Sequence, residues 1–285
     1  MSTSAAPVGF GLLSAASWGG SDFVGGLGAR RAPALLVAVA GQVVSLGILA
    51  GLGFGAHVGL PGGRTAALMA VAGFEGAVAL ALFYRALAMG AMGLTAALTG
   101  LLTAIIPVVY SAVFDGLPGR VTTVGLAAGL ISIWLITHEI GVDTPKRALL
   151  YGALAGVGFG VQLVLFRMVE GVAGAGGWQW TIGIMTVVRV AGLAGLLLVV
   201  ALTRTRAGGA GFWGAGALSG IFDTAGNLFF LAASRAGRLD AAAVICSLYP
   251  AGTILLAAAF LRERPTWRQI GGMALALVAV ALLSL

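Results

Sequence analysis

Ala86-Leu87-Ala88-Met89-Gly90 returns 147 residues later as Ala233-Ser234-Arg235-Ala236-Gly237, and the same shift lays Ala96 on Ala243, Pro118 on Pro265 and Gly125 on Gly272. One offset therefore aligns two apolar stretches and two loops. Near the start of each half an offset of 141 pairs Gly11 with Gly152 and Trp18-Gly19 with Phe159-Gly160. The six-residue difference falls between the two regions. Gly and Ala matches carry little information in a chain with 47 glycines, so the prolines and the aromatic-Gly pair bear the weight. A period of this length is read as an internal duplication.

Working outward, apolar stretches long enough to cross about 30 Å of hydrocarbon recur at Val8–Leu27, Pro33–Leu52, Ala66–Leu87, Leu94–Phe114, Val121–Ile140, Leu149–Met168, Ile182–Leu202, Phe212–Ala233, Ala241–Leu261 and Ile270–Leu285. The chain is 60% hydrophobic and 9% charged, with a mean hydropathy of +1.06. That balance excludes a water-soluble globule and leaves little chain for a soluble domain. The expected fold is an all-α integral membrane protein of about ten transmembrane helices, residues 1–141 and 142–285 each forming a five-helix repeat. Five is odd, so the second repeat crosses the bilayer inverted with respect to the first, around a central cavity. Inverted repeats of this kind build alternating-access transporters, with the solute site near the midplane where the halves meet.

The net charge of +7 does not point to nucleic acid, because the basic residues stand singly or in pairs at span ends. They read as membrane-interface anchors and topology signals. Ten Lys and Arg lie on one side of the spans, among them Arg30, Arg85, Lys146 and Arg204, against five on the other (Arg64, Arg120, Arg167, Arg235 and Arg238). Taken literally, the positive-inside rule puts both termini outside. The first span lacks a basic leader and reads as a retained helix. The lone Cys246 excludes an intramolecular disulfide, and His57 and His138 give no metal motif. No G-x-x-x-x-G-K-[ST] loop offers an ATP motor, and no G-x-S-x-G, H-E-x-x-H or Cys/His group suggests an intramembrane enzyme. No catalytic residue, metal or cofactor is therefore expected.

Leu13…Trp18-Gly19-Gly20-Ser21-Asp22-Phe23 in the first span, Phe83-Tyr84-Arg85-Ala86-Leu87 closing the third and Ser247-Leu248-Tyr249-Pro250 in the ninth stand in a distinctive order. Leu261-Arg262-Glu263-Arg264-Pro265 and Gln269-Ile270-Gly271 come between the last two spans. Over nearly its whole length the sequence resembles the EamA-type members of the drug/metabolite transporter superfamily, closest to the YddG-like amino-acid exporters. Asp115-Gly116-Leu117-Pro118 departs from the family pattern, which has a glutamate there. The resemblance implies a basket of ten helices around a cavity, both termini cytoplasmic, and export of amino acids, other metabolites or drugs.

Charged groups at membrane depth cost from about 2.5 to over 10 kcal/mol, so they normally face a cavity or one another. Four fall there: Glu75 and Arg189 near the middle of the third and seventh spans, Asp223 central in the eighth, and Asp22 about one turn off centre in the first. Under the repeat offset Glu75 falls within two residues of Asp223, suggesting symmetric acids. Arg189 is expected to pair with an acid, Asp223 first among them. Such a pair offers a zwitterionic solute two opposite charges, or simply fixes helix packing. All four are candidates for charge pairing or proton coupling.

Ser219, Asp223 and Asn227 make one polar stripe on the eighth span, Ser14, Trp18, Ser21 and Asp22 share a face of the first, and Thr95, Thr99 and Thr103 line up on the fourth. Gln42 and Gln162 add single amides to the second and sixth. Trp18 and Tyr249 offer flat surfaces for a side chain. Trp18, Ser21, Gln42, Gln162, Asn227 and Tyr249 are the candidate substrate-binding residues, the hydroxyls also having the alternative of gluing helices together. Pro107 and Pro250 lie inside the fourth and ninth spans as candidate hinges, or as fixed bends. Gly125, Gly129, Gly271 and Gly272 permit close helix contact and with it a homo-oligomer. The expected function is secondary transport of small amino acids or related metabolites outward across the plasma membrane (the bacterial inner membrane). The expected partners are a small-molecule solute and the lipid bilayer. Export of lipophilic drugs is the alternative, and an intramembrane enzyme a distant one.

Overall fold

The computed structural model describes residues 5–55, 57–89, 92–137, 145–173, 177–206, 209–261 and 266–283. These residues form eleven helices: α1 Ala5–Ala29, α2 Ala34–Gly55, α3 Gly63–Ala88, α4 Met92–Phe114, α5 Arg120–Thr137, α6 Lys146–Ala173, α7 Trp178–Thr203, α8 Phe212–Ala236, α9 Leu239–Cys246, α10 Tyr249–Leu261 and α11 Trp267–Leu283. Six stretches are long and apolar enough to cross a membrane, one of them Leu239–Phe260 running through α9 and α10. Leu98–Phe114, Arg120–Leu135 and Trp267–Leu283 are apolar but shorter. Val71, Val113, Leu198, Leu202 and Leu277 point outward, where a bilayer and not water makes their exposure favourable. The chain is a multi-pass membrane protein. His138 and the 262–265 loop, which carries part of the family-like motif, lie outside the described residues, as does the side chain of Thr95.

The ninth span departs from the sequence expectation. A turn at Ser247-Leu248 separates α9 from α10, so Pro250 is not inside a continuous helix but in the first turn of a new one. Its missing N–H is no loss there. A continuous helix would need that N–H for the Cys246 carbonyl, and proline has none to give. Pro107, by contrast, stays inside an unbroken α4.

The helices pair reciprocally. α1 lies along α8 as α6 lies along α3; α4 packs on α6 as α9 and α10 pack on α1; α3 meets α7 as α8 meets α2. Exchanging α1–α5 with α6–α11, α9 and α10 taken together, maps these pairings onto one another, and maps α5 with α11, α2 with α7 and α4 with α9 onto themselves.

The atoms repeat the pattern. A Cβ on Gly73 would collide with the Val188 carbonyl oxygen, and a Cβ on Gly220 with that of Gly41. Gly220 is Gly73 plus 147, and Val188 is Gly41 plus 147. Likewise a Cβ on Gly19 would meet the Tyr249 carbonyl oxygen at 2.7 Å, and one on Gly160 that of Leu102 at 3.2 Å, the partners standing at the offsets 141 and 147. Without a hydrophobic force between helices in lipid, such close backbone approach is what joins them.

Side-chain hydroxyls add to these seams. Ser14 donates to the Gly226 carbonyl at 2.8 Å, Ser45 to Gly220 at 3.0 Å, Thr99 to Gly152 at 2.8 Å and Ser132 to Gly272 at 2.9 Å. A side chain at Gly73 or Gly220 has only backbone to push against. Gly73→Ala and Gly220→Ala are expected to lower the thermal unfolding temperature of the purified protein, by the equivalent of about 1–3 kcal/mol or more. Gly47→Ala is expected to be neutral or to raise it slightly, since its Cβ would meet nothing within 4 Å and alanine favours a helix interior by roughly 0.5–1 kcal/mol. Equal melting of all three variants would contradict the tight seams.

Candidate functional site

The seams fix a cavity between the two sets of helices, lined by Trp18, Asp22, Gln42, Gly73, Gly76, Ala77, Leu80, Thr103, Phe159, Gln162, Leu163, Val188, Arg189, Asp223, Asn227 and Tyr249. Its volume is about 60 Å³, room for a few waters. Five pairs of lining residues are mates under the repeat offsets: Trp18 with Phe159, Asp22 with Leu163, Gln42 with Arg189, Gly76 with Asp223 and Leu80 with Asn227. The cavity thus draws on equivalent positions of both halves. Its chemistry is lopsided, because each charged group faces a mate without charge.

Arg189 on α7 and Asp223 on α8 form an ion pair, Nη2 to Oδ2 at 2.7 Å, with side chains 6% and 19% exposed. The two atoms touch without the alignment of a hydrogen bond, and Arg189 Nε has no hydrogen-bond partner among the described residues. The guanidinium therefore keeps donors for another acceptor. Asn227 steadies the acid from one turn away, its Nδ2 donating to the Asp223 carboxylate at 3.1 Å and to the main-chain oxygen at 2.8 Å. Asp22, on α1, lies within electrostatic range of Asp223 and of the Tyr249 ring, and no basic residue pairs with it among the described residues. Gln42 Oε1 and the Tyr249 hydroxyl are buried without a hydrogen-bond partner among the described residues. Trp18 lies over Gly226 and stacks on Phe230 with ring centroids 5.9 Å apart.

Five candidates stand elsewhere or only partly in the wall. Ser21 bonds the Ser219 hydroxyl at 2.9 Å and its carbonyl at 3.1 Å, and Tyr84 completes the cluster with its hydroxyl 2.7 Å from Ser219. Gln162 donates to the Ala72 carbonyl at 2.8 Å; Ser21 and Gln162 are mates, as are Ala72 and Ser219, so one helix-joining bond occurs twice. Only Gln162, the longer side chain, also reaches the cavity.

Glu75 is outside the lining. Its mate at the 147 offset is Phe222, not Asp223, and its carboxylate lies beside Gly158 of α6 with Oε1 unpartnered among the described residues. The expected symmetric acids are therefore not symmetric: the position equivalent to Asp223 is Gly76. Pro107 and Pro250 are also outside the lining. Phe159, Leu163 and Leu80 were missed as wall residues, although the repeat offset applied to Trp18, Asp22 and Asn227 points to each of them.

Three arginines tie helices and loops together at one end. Arg167 donates to the Ser234 carbonyl at 3.5 Å, Arg235 bonds Thr181 and the Gly177 carbonyl, and Arg238 donates to the Gly116 carbonyl at 3.1 Å. Bonds to Asp240 raise the Arg238 guanidinium still further above its ordinary value. Among the described residues no three His, Cys, Asp or Glu side chains gather to hold a metal.

Residues 146–285, from the start of α6 onward, match the EamA-like transporter family. The EamA family is a transporter family of the drug/metabolite transporter superfamily, not an enzyme family. A protein crystal structure is similar to this chain with a TM-score of 0.76 over 98% of both chains at 19% identity, a likeness of fold alone. No curated protein matches the chain. The matched residues supply α7 and α8, and with them Arg189, Asp223 and Asn227.

Removing one partner of a buried ion pair strands the other, at a cost of about 3–5 kcal/mol. Arg189→Ala is accordingly expected to destabilise the protein and abolish transport. Adding Asp223→Asn, which removes the stranded charge, is expected to restore part of the thermal stability. Melting curves of the single and double variants check this, and additive losses would contradict the pairing.

Proposed function

We propose that this protein is a secondary transporter that moves small amino acids or related metabolites outward across the plasma membrane by alternating access. In this reading residues 1–141 and 142–285 are inverted five-helix repeats, and the solute binds where they meet. The reciprocal helix pairing and the twice-made glycine contacts support it. The observation that carries it is the cavity itself, which combines an ion pair, an additional acid and flat apolar walls in one small space.

An apolar side chain gains about 25 cal/mol per Å² on leaving water for such walls, whereas its charged backbone groups need polar partners to offset lost hydration. Trp18, Phe159, Tyr249, Leu80 and Leu163 serve the first need; Arg189, Asp223, Asp22 and Asn227 serve the second. With room for only a few waters, the cavity must widen to admit a side chain, and the α9–α10 break at Ser247-Leu248 is a place where the helix wall can bend. Asp22 and Asp223 are also the groups through which a proton gradient can drive the cycle. The same apolar walls favour export of a lipophilic drug as a second reading.

Flux into proteoliposomes separates the two. Labelled methionine, threonine or phenylalanine is expected to show saturable flux, with larger apolar amino acids competing better than aspartate or lysine. Trp18→Ala is expected to weaken the larger ones most. Active liposomes that carry a drug but none of these amino acids would overturn the reading in favour of the second. Repeating the assay with and without a pH gradient tests proton coupling.

A further inference from the structure

α7 and α8 are consecutive in the chain yet lie apart: α7 packs on α2 and α3, while α8 packs on α1 and α2. Among the described residues, side chains bridge the gap between them at two levels. Arg235 reaches Gly177 and Thr181 at one end, and Arg189 meets Asp223 across the cavity. The mid-depth bridge is incompletely made. Its atoms touch at 2.7 Å, but the guanidinium directs no hydrogen bond at the carboxylate from Nη2 and none at any described group from Nε. A planar guanidinium fits a carboxylate through two parallel N–H bonds, and Asp223, held by Asn227 from one turn away, does not take that geometry.

The geometry points to Asp223 as a tethered stand-in for the carboxylate of the solute. This inference rests on the amino-acid reading above and says how the solute is held. The α-carboxylate of an incoming amino acid takes the unbonded Nε and Nη2 N–H groups of Arg189 and expels Asp223 from it. Two acids, Asp22 and Asp223, then face the cavity without a protein cation, and the ammonium of the same solute lies between them. A zwitterion leaves the net charge of the site unchanged, whereas a solute with only a carboxylate adds an uncompensated negative charge to it. The exchange also removes the mid-depth tie between α7 and α8, so occupancy and release of the helices are one event. The solute class is thus narrowed to molecules carrying both an α-carboxylate and an ammonium.

Binding to purified protein by three probes that share one ring tests this: phenylalanine, phenethylamine, which lacks the carboxylate, and 3-phenylpropanoate, which lacks the ammonium. Wild type is expected to bind phenylalanine at least about tenfold more tightly than either of the others. Asp223→Asn removes the internal competitor and one negative charge, and is expected to tighten 3-phenylpropanoate by about tenfold or more. Arg189→Lys keeps the charge, and so the fold, but loses the planar fork; it is expected to weaken phenylalanine while phenethylamine stays as in wild type. Thermal unfolding of each variant confirms that folded protein is compared. Phenethylamine binding wild type as tightly as phenylalanine, or 3-phenylpropanoate unaffected by Asp223→Asn, would overturn the inference while leaving an amino-acid-sized solute in place. Failure of phenylalanine to bind wild type, with 3-phenylpropanoate tightened in Asp223→Asn, would instead sink the amino-acid reading and keep Arg189 as a carboxylate receptor.

Discussion

Two backbone contacts govern where everything polar in this protein can stand. A carbonyl oxygen of α7, from Val188, sits in the space a side chain would fill at Gly73 of α3, and one of α2, from Gly41, does the same at Gly220 of α8. Each contact is made next to a cavity residue. Val188 precedes Arg189, Gly41 precedes Gln42, and Gly73 and Gly220 stand one turn before Gly76 and Asp223. Because the backbones cannot approach more closely or slide without collision, Arg189 and Asp223 are delivered to the same depth from helices that otherwise lie apart. The ion pair is thus a consequence of glycine packing and not its cause.

Positions one offset apart line the cavity together but differ in chemistry. In four of the five pairs one mate is charged or polar and the other is small, apolar or uncharged: Arg189 against Gln42, Asp223 against Gly76, Asp22 against Leu163, Asn227 against Leu80. A glycine at the position equivalent to Asp223 removes a second charge and lets the Gln162 amide occupy the space a side chain would fill. Two arginines facing each other across so small a space would repel strongly in a low dielectric. The asymmetry gives one end of the site a cation and leaves apolar wall elsewhere, an arrangement that orients a solute with two charges and a side chain.

Much of this was legible in the sequence, for identifiable reasons. The spans were readable because a membrane imposes length and composition on every crossing, and the pairing of Arg189 with Asp223 because two central opposite charges in one half have few other partners. Trp18, Asp22, Gln42, Gln162, Asn227 and Tyr249 all reach the cavity. Ser21 does not, because a short hydroxyl on a helix seam is satisfied by the facing carbonyl before it can reach further. Glu75 was misplaced by a single residue of register, which on a helix turns a side chain by about 100° and here moves it from the cavity face to the α6 seam. The break before Pro250 was invisible because apolarity continues through it; the proline marked the place, but not that a new helix begins there.

In the proposed cycle the cavity is the fulcrum of a movement in which the arginine-tied end and the opposite end open in turn. Distances between spin labels placed at both ends probe that movement without relying on flux. With the buried Cys246 replaced by alanine, one pair at Gln179 and Ala236 reports the end held by Arg235, and another at Ala88 and Gly214 reports the end near the Tyr84–Ser219 contact; all four sites are exposed. Measured in nanodiscs with and without saturating phenylalanine, the two pairs are expected to shift in opposite directions, one distance distribution lengthening as the other shortens. Unchanged distributions at both ends, in protein shown to bind the amino acid, would contradict the alternating movement.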